Sequence, residues 1–507
     1  MADDFSLSDI KKIAGGEELL AGNFGIEVEG LRVTHDGKLS LRPHPSIFGN
    51  KLTNPYITTD FSESQVEIIT PTFESIDEAF DFFSFMSDLV NVSLDKDEYL
   101  WFQSLPCILP KSSDIPIARY EGDEKAQESM DYRKGLAKKY GLRKQLISGI
   151  HFNFSFSDDF IQKLYDNSDR GRSFKDFKDT LYLKVTRNYL RHLWLIVYLT
   201  GASVACHKTF NHECVQLMDR QGKSGSLYTS TGCSLRNSSF GYKNLKKLYP
   251  SYNSVREFTD DVQSYIDEGV LSEAKELYTQ IRLKPKNPPD LLNSLNEDGV
   301  RYIEVRTLDI NPFYKCGLIK KDMEFIHLLL VYCLLKEESD YAGWQKESLI
   351  NEERVAVSAF DPDMRLLKDG EETTIKEWGL EIIDRMKVML EEFGIDCDGI
   401  LNPMADKIRN PSITYARQIV KLVEEKGFIR AQMRLARSNK ITSNYILNQT
   451  DLIYDDKFKK YVPIALPGLK DTCATDDVFA EFRGSNLCSI EEELRKLSEE
   501  DDNSKSV

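Results

Sequence analysis

The chain has 507 residues, of which 29% are charged and 41% hydrophobic, and its formal net charge is −16. So acidic a chain leaves no broad basic surface for phosphates, which argues against a general binder of nucleic acid or of anionic membranes. The opening residues MADDFSLSDIKK lack the apolar core of a secretory signal. The longest uncharged apolar run, residues 193–206, is shorter than the roughly 20 residues that span a bilayer.

Cysteine usage and the distribution of linkers set the expected compartment and domain organisation. Nine cysteines lie scattered without the spacing of a disulfide framework, so we expect reduced thiols and a cytoplasmic protein. No repeat or low-complexity linker divides the chain. We therefore predict a single catalytic unit over residues 1–440 and a C-terminal extension over 441–507, whose acidic tail is a frayed helix or disordered.

Four segments of the chain alternate polar and apolar residues, and each is read as a strand with one polar face. The polar pairs on these segments are Glu27 with Glu29, Asp60 with Glu67, His151 with Asn153, and Glu304 with Arg306. The strand around His151 is predicted over residues 148–156. Helical patterns occur at residues 1–20, 75–94, 180–200, 258–280 with a break at Gly269, 321–335, and from Asn410-Pro411 to about residue 438 with a break near Gly427. The sequence thus predicts an α+β fold in which an antiparallel sheet packs its apolar face on helices and lines a cavity with its polar face.

The carboxylates on these predicted strands indicate a metal site. Taken alone, Glu27 and Glu29 would indicate an amphipathic edge strand with a solvated acidic face more readily than a metal site. Five carboxylates in one cavity would repel each other strongly without cations, and hard divalent ions such as Mg²⁺ or Mn²⁺ prefer oxygen ligands. Such sites hold phosphates during phosphoryl transfer, and Arg306 could meet the charge that develops there.

Two further stretches allow more than one interpretation. The loop GCSLRNSSFGY (residues 232–242) surrounds Arg236 with small residues, so it is either a plain surface loop or a place where Arg236 binds a carboxylate. Cys206, His207, His212 and Cys214 lie within nine residues, but the crowded spacing is poor for tetrahedral zinc. A phosphate-binding loop is not predicted at Gly222-Lys223-Ser224, because the motif requires glycine where Leu217 stands.

Seven stretches of sequence resemble a known family in the order in which they occur. They are FGIEVEGLRV, ITTDFSESQVEIITP, LWFQSLPC, DYRKGL, SGIHFNFS, CSLRNSSFGY and RYIEVRTLDINPF. Over residues 23–438 the chain resembles bacterial glutamate–cysteine ligases (γ-glutamylcysteine synthetases) and the ligase half of fused bifunctional glutathione synthetases.

The resemblance implies a fold related to glutamine synthetase and guanidino kinases, with a curved, mostly antiparallel sheet forming a funnel-like active site and helices outside. It also implies ATP as a substrate and Mg²⁺, or Mn²⁺, as the metal. The implied reaction transfers a phosphoryl group from ATP to the γ-carboxylate of glutamate, and the amine of cysteine then displaces phosphate to give γ-glutamylcysteine and ADP, the first step of glutathione biosynthesis.

The resemblance also implies roles for individual residues. The implied metal-binding set is Glu27, Glu29, Asp60, Glu67, His151 and Glu304. Arg306 and Arg236 are the implied catalytic residues, Arg306 at the transferred phosphoryl group and Arg236 at glutamate or the acyl phosphate. The implied substrate-binding set, mostly around the acceptor cysteine, is Phe61, Tyr132, Leu136, Gln145, Arg236 and Tyr242.

Several properties stay open at this point. A related ligase with another acceptor amine would keep every metal residue, and a catalytically silent regulatory subunit would keep the fold but lose ligands. The stretch from Asn439 onward does not resemble an ATP-grasp domain, so we expect either a separate glutathione synthetase or γ-glutamylcysteine as the end product. We expect small-molecule substrates and no nucleic-acid or membrane partner. The sequence determines no oligomeric state and is compatible with a monomer.

Overall fold

A computed structural model describes residues 6–168, 171–210, 212–448 and 456–468. The strands in these ranges are β1 (Gly22–Thr34), β2 (Ile57–Thr59), β3 (Gln65–Ile69), β4 (Glu98–Trp101), β5 (Ile150–Phe156), β6 (Ala205–His207), β7 (Arg220–Gln221), β8 (Ser226–Tyr228), β9 (Ile281–Lys284), β10 (Tyr302–Leu308), β11 (Leu366–Lys368) and β12 (Glu371–Thr373).

The helices of the same ranges are α1 (Leu7–Ile13), α2 (Gly16–Leu20), α3 (Ile76–Ser93), α4 (Glu124–Tyr140), α5 (Asp158–Asp166), α6 (Phe174–Thr200), α7 (His212–Gln216), α8 (Val255–Asp267), α9 (Leu291–Asp298), α10 (Lys320–Leu335), α11 (Trp344–Ser358), α12 (Ile375–Glu391), α13 (Asp398–Arg409), α14 (Tyr415–Lys426), α15 (Phe428–Asn448) and α16 (Val462–Ala465). None of the helices within the described ranges is long and apolar enough to cross a membrane.

The main sheet confirms the predicted mixture of helices and antiparallel strands. Its seven described strands run in the order β2-β3-β1-β5-β10-β9, and β4 pairs with the far end of β1. Neighbouring strands are antiparallel throughout. The apolar side chains of β1, β5 and β10 are buried, and helices α3, α6 and α10 pack against this core. The sheet therefore presents its polar residues on the other face.

The register of the sheet sets which polar residues become neighbours. Glu27 on β1 lies opposite His151 on β5. Glu29 lies opposite Glu67 on β3. Because side chains directly opposite each other in an antiparallel pair point to the same face, this register gathers acidic residues and an imidazole over the middle of the sheet.

The C-terminal third of the described chain is mostly helical, apart from the hairpin of β11 and β12. Helix α15 packs against α3 and β4 and extends to Asn448, beyond the predicted end near Ser438. Residue 440, where we place the domain boundary, is therefore inside a helix, and the boundary itself stays a prediction. Phe458 packs on Phe82 of α3. The acidic tail predicted toward residue 507 lies outside the described residues.

Three other predicted elements differ from the structure. The single helix expected over residues 1–20 is two short helices, α1 and α2. The mostly helical segment predicted over residues 258–280 breaks at Gly269, as expected, where φ is 70°. The predicted helix does not resume, and only a short 3-10 turn follows at Ala274–Glu276. Pro411 begins a 3-10 turn, and the α-helix begins only at Tyr415.

Candidate functional site

The centre of the polar sheet face is a cluster of carboxylates around one imidazole. Ligand atoms of Glu27, Glu67 and His151 all lie within 4.8 Å of one another. The Nδ1 atom of His151 is 3.1 Å from Oε2 of Glu27, and its Nε2 atom is 3.9 Å from Oε1 of Glu29. Within the described part of the chain, this is the one group of such residues whose geometry suits a metal ion.

Strand β10 contributes Glu304 and Arg306 to the same face. Oε1 of Glu304 lies 3.4 Å from Nδ1 of His151, and Oε2 lies 2.8 Å from Nζ of Lys284 on β9. The guanidinium of Arg306 donates a hydrogen bond to Glu304 and lies 3.3 Å from Nδ1 of His151. This side of the cluster therefore carries its own positive charges.

The electrostatics differ across the cluster. Burial raises the pKa of Glu67 well above its usual range, and the charges of Asp60 and Glu27 raise it further. Burial and the charge of Asp60 likewise raise the pKa of Glu29 to about 8. By contrast, although burial raises it, the nearby charges of Arg306 and Lys284 together hold the pKa of Glu304 well below its usual value.

This difference in pKa between the two sides of the cluster indicates where a metal ion would bind. Around Glu29 and Glu67, burial and the neighbouring charge of Asp60 raise the pKa of both glutamates, because too little positive charge lies nearby to balance them. A divalent cation bound by oxygen ligands would supply that charge, since hard ions such as Mg²⁺ and Mn²⁺ prefer carboxylates. The residues present thus fit a divalent metal.

Asp60 reaches the cluster from the loop that joins β2 to β3. Its backbone N–H donates to the carbonyl of Gln65 over 3.3 Å, which closes the loop. Arg133 of α4 donates from Nε to the carbonyl of Asp60 over 2.5 Å. The loop is therefore held at its base by its own backbone and at Asp60 by helix α4.

Arg236 lies on a short 3-10 turn, Leu235–Asn237, and its side chain is buried against β10. Its Nη2 atom donates to the carbonyl of Arg306 over 2.8 Å, and Nη1 is 4.0 Å from Oδ1 of Asp309. Asp309 is itself buried and accepts hydrogen bonds from Ala202 and Ser203. The loop therefore lies against β10 beside the cluster, and the binding of a substrate carboxylate by Arg236 stays a prediction.

The predicted acceptor residues lie together beside this arginine. Phe61 and Leu136 are buried in one small apolar cluster, and Tyr132 packs on it. The hydroxyl of Tyr242 lies 2.9 Å from Oε1 of Gln145, which is itself buried. The structure thus brings the predicted substrate-binding residues into one region, the predicted acceptor pocket, which has an apolar side and a polar end.

Sequence reasoning missed several residues of this region. Tyr140 belongs to the apolar cluster, and Tyr278 packs on it while its hydroxyl lies 2.8 Å from that of Tyr242. Lys284 pairs with Glu304. Lys284 alternates with apolar residues in IRLK and could have been found as a fifth polar strand face, whereas no local pattern marks Tyr278.

The other candidate metal ligands do not form a site in the described ranges. Cys206 and Cys214 are buried as free thiols. His207 uses Nδ1 to bond the hydroxyl of Thr209 over 2.9 Å. Among the described residues, Cys206, His207, His212 and Cys214 do not form a group with the geometry of a metal site.

Known proteins match this chain in sequence and in fold. Residues 7–270 and 260–356 match the family model described as glutamate-cysteine ligase. The chain is 37% identical over 436 residues, 85% of its length, to the glutathione biosynthesis bifunctional protein GshAB of Clostridium perfringens, and covers 55% of that protein. It is 36% identical over 406 residues to a glutamate–cysteine ligase of Clostridium acetobutylicum, a match that covers 73% of this chain and 84% of that one.

Two solved structures resemble it as well. A glutamate–cysteine ligase of Francisella tularensis in complex with AMP superposes with a TM-score of 0.77 at 27% identity, covering 94% of this chain and 99% of that one. A bifunctional glutathione synthetase of Pasteurella multocida gives a TM-score of 0.74 at 29% identity, covering 84% of this chain and 53% of that one.

The fold and the matches together place the chain in a family of ligases. More specifically, the chain belongs to the glutamate–cysteine ligase family. It spans about half the length of the bifunctional relatives that it matches, 55% in the Clostridium perfringens protein.

Proposed function

We propose that this chain joins the γ-carboxylate of L-glutamate to the amine of L-cysteine at the expense of ATP. The products are γ-glutamylcysteine, ADP and phosphate, and the reaction is the first step of glutathione biosynthesis. The observation that carries the proposal is the convergence of Glu27, Glu67 and His151 on one sheet face, beside the arginine of β10. That arrangement suits the binding and transfer of a phosphoryl group.

The proposed cation is Mg²⁺, with Mn²⁺ as the alternative. Its ligands would come from Glu27, Glu29, Asp60, Glu67, His151 and Glu304, the set predicted from the sequence. When bound, such an ion neutralises the phosphate oxygens of ATP. The raised pKa values of Glu29 and Glu67 support this assignment. They indicate that neighbouring protein groups do not balance the negative charge of these carboxylates, which a bound cation would do.

Two arginines would act on the reacting groups. In the first step an oxygen of the γ-carboxylate attacks the γ-phosphorus of ATP, and ADP leaves. Arg306, fixed by Glu304, would meet the charge on the transferred group. Arg236, fixed by the carbonyl of Arg306, would hold glutamate and then the acyl phosphate.

Cysteine would bind in the pocket of Phe61, Leu136 and Tyr242. In the second step its amine attacks the acyl carbon, phosphate leaves, and the amine proton passes to phosphate or water. The apolar wall suits a small thiol, while the polar end can orient the amine and carboxylate. Selection among amines of similar size depends on small free-energy differences.

Larger-scale features belong to the same proposal. We infer that the main sheet curves into a funnel related to that of glutamine synthetase and guanidino kinases, and that residues 1–440 form the catalytic domain. The seven free thiols of the described residues accord with a cytoplasmic protein, as predicted from cysteine usage.

The test is ADP release by the purified chain with ATP, Mg²⁺ and glutamate, with product masses measured in parallel. Cysteine, serine, alanine, 2-aminobutyrate and no acceptor are compared. Cysteine-dependent turnover that yields γ-glutamylcysteine supports the proposal. Turnover with a different amine would change the acceptor substrate that we assign and leave the phosphoryl-transfer site as proposed. No turnover with any amine would indicate a catalytically silent subunit and overturn the proposal.

A further inference from the structure

A fully buried carboxylate lies next to the acceptor pocket without belonging to it. Glu352 of α11 has 0% of its surface exposed. Its Oε2 atom is 2.7 Å from Nζ of Lys243, and its Oε1 atom accepts a hydrogen bond from Nε2 of Gln280 over 2.5 Å. A buried charge tied to two partners from distant parts of the chain fixes those parts relative to each other.

Both partners of Glu352 are close in sequence to the tyrosines of the acceptor pocket. Lys243 directly follows Tyr242, and Gln280 comes two residues after Tyr278. The rings of these tyrosines have centroids 4.3 Å apart, and their hydroxyls are 2.8 Å apart. Glu352 therefore joins the two segments that carry the polar end of the pocket.

Gln280, one of the two partners of Glu352, is also hydrogen-bonded to Arg306 of β10. The carbonyl of Gln280 accepts a hydrogen bond from the backbone N–H of Arg306 over 2.9 Å. A cavity of about 430 Å³ is lined by Lys243, Tyr278, Gln280 and Glu352 together. Because this space adjoins Tyr278, the tyrosine has room to shift when its segment is no longer held.

We propose that Glu352 is a positioning residue for the acceptor amine, acting through Lys243 and Gln280 on Tyr242 and Tyr278. The proposal rests on the proposed function, since it assigns cysteine to this pocket. Glu352 bonds directly to the segments that carry Tyr242 and Tyr278 and reaches Arg306 only through the backbone of Gln280. Its loss should therefore weaken acceptor binding more than it changes the binding of ATP or glutamate.

Glu347, on the same helix, provides a matched control. It is also buried and also accepts two hydrogen bonds, from the N–H groups of Asp369 over 3.0 Å and Gly370 over 2.8 Å. These partners belong to the turn between β11 and β12. Glu347→Gln therefore removes an equivalent buried charge from α11 while leaving the acceptor segments tied.

The experiment compares steady-state kinetics of the full chain with those of Glu352→Gln and Glu347→Gln. We expect Glu352→Gln to raise KM for cysteine about tenfold or more, the cost of a lost charged hydrogen bond, and to leave KM for ATP and glutamate within about twofold. Glu347→Gln should keep the wild-type KM for cysteine. An unchanged KM for cysteine in Glu352→Gln, or an equal rise in both variants, overturns the proposal.

Hydrogen exchange measured on the same proteins separates this inference from the proposed function. Glu352→Gln should speed amide exchange in residues 242–244 and 276–280, and Glu347→Gln should do so only in residues 366–373. If the wild type fails to ligate cysteine, the proposed function fails, and the exchange pattern still decides whether Glu352 holds these segments. Identical exchange patterns in the two variants overturn the positioning role.

Discussion

Glu27 illustrates how single residues of the sheet face combine structural and chemical roles. It accepts hydrogen bonds from Nδ2 of Asn153 over 2.9 Å and lies 3.1 Å from Nδ1 of His151. Glu27→Gln keeps the shape of the side chain and removes one charge. Ligation should fall at least about a hundredfold, since even outer-shell changes at metal sites cost about 10- to 100-fold.

The measurement is ADP release at saturating Mg²⁺, with the thermal unfolding midpoint recorded for the same protein. Glu371→Gln, on the exposed hairpin strand β12, is the control and should behave as wild type. Near-normal turnover of Glu27→Gln at saturating Mg²⁺ would refute the metal assignment.

Gly149 has a role that depends on its lack of a side chain. A Cβ atom there would lie 2.6 Å from Cζ of Arg236 and would collide with its Nη2 atom. Gly149→Ala should therefore displace the guanidinium and lower kcat/KM for glutamate by about a hundredfold, the usual effect of a misplacement of about 1 Å.

Gly399→Ala is the control for this substitution, because a Cβ atom at Gly399 meets no atom within 4 Å. Both variants are assayed at several glutamate concentrations. An unchanged kcat/KM in Gly149→Ala would mean that Arg236 does not act on glutamate from its position in the structure.

Among single residues, the sequence identified the polar side chains that occupy every second position of a strand. Glu27, Glu29, His151 and Glu304 alternate with buried apolar residues, so period-two patterning was enough to place them on one face. Tyr278 carries no such pattern, because it lies in an irregular segment whose position depends on tertiary contacts alone.

At the scale of single elements, Lys440 anchors helix α15 to the segment between α3 and β4. Nζ of Lys440 on α15 donates to the carbonyls of Leu94 over 3.1 Å, Asp95 over 2.6 Å and Glu98 over 2.8 Å. These carbonyls follow the C-terminus of α3 and lead into β4. The lysine thus satisfies backbone acceptors at the point where helix and strand meet.

Lys440→Met keeps most of the apolar stem and removes all three donors. We expect the free energy of unfolding, measured in urea, to fall by about 2–3 kcal/mol. Lys421→Met on the exposed side of α14 should change it by less than about 0.5 kcal/mol. Equal stability of the two variants would show that α15 is not anchored through Lys440.

Element prediction succeeded where periodicity was strong and failed where glycine, proline or tertiary contacts decide. Strand β5 and helix α10 match their predicted ranges closely, because one alternates strictly and the other is a continuous apolar run. Helix α15 continues past Ser438 through a polar stretch, RSNKITSN, whose order comes from packing on α3 rather than from its own pattern.

At the scale of the whole molecule, buried histidines link stability to pH. Burial, with the charges of Lys51 and Arg32, lowers the pKa of His44 to about 3. Burial, with the charge of Lys336, lowers the pKa of His192 to about 3. Burial lowers the pKa of His327 to about 4.

The sign of the effect follows from the unfolded state, in which histidine titrates near a pKa of about 6.5. Above that pH the histidines are neutral in both the folded and the unfolded state, so they do not change the free energy of unfolding. Below it the unfolded chain takes up protons before the folded protein does, so stability falls as the pH decreases toward 4. Each histidine contributes a slope of about 1.4 kcal/mol per pH unit.

His327→Leu tests this linkage by removing one titrating group from the aromatic contacts of Phe24 and Phe154. The loss of unfolding free energy between pH 6 and pH 5, measured in urea, should be smaller in the variant by about 1.4 kcal/mol. An equal loss in both proteins would mean that His327 is protonated in the folded state.

Phosphoryl transfer to the γ-carboxylate of glutamate, the central step of the proposed reaction, can be tested by oxygen tracing. Glutamate labelled with ¹⁸O in the γ-carboxylate is incubated with the chain, ATP, Mg²⁺ and cysteine, and the released phosphate is examined by mass spectrometry. We predict that each phosphate carries one oxygen from glutamate. Phosphate released during ligation without the label would contradict an acyl-phosphate route and, with it, the proposed roles of Arg306 and Arg236.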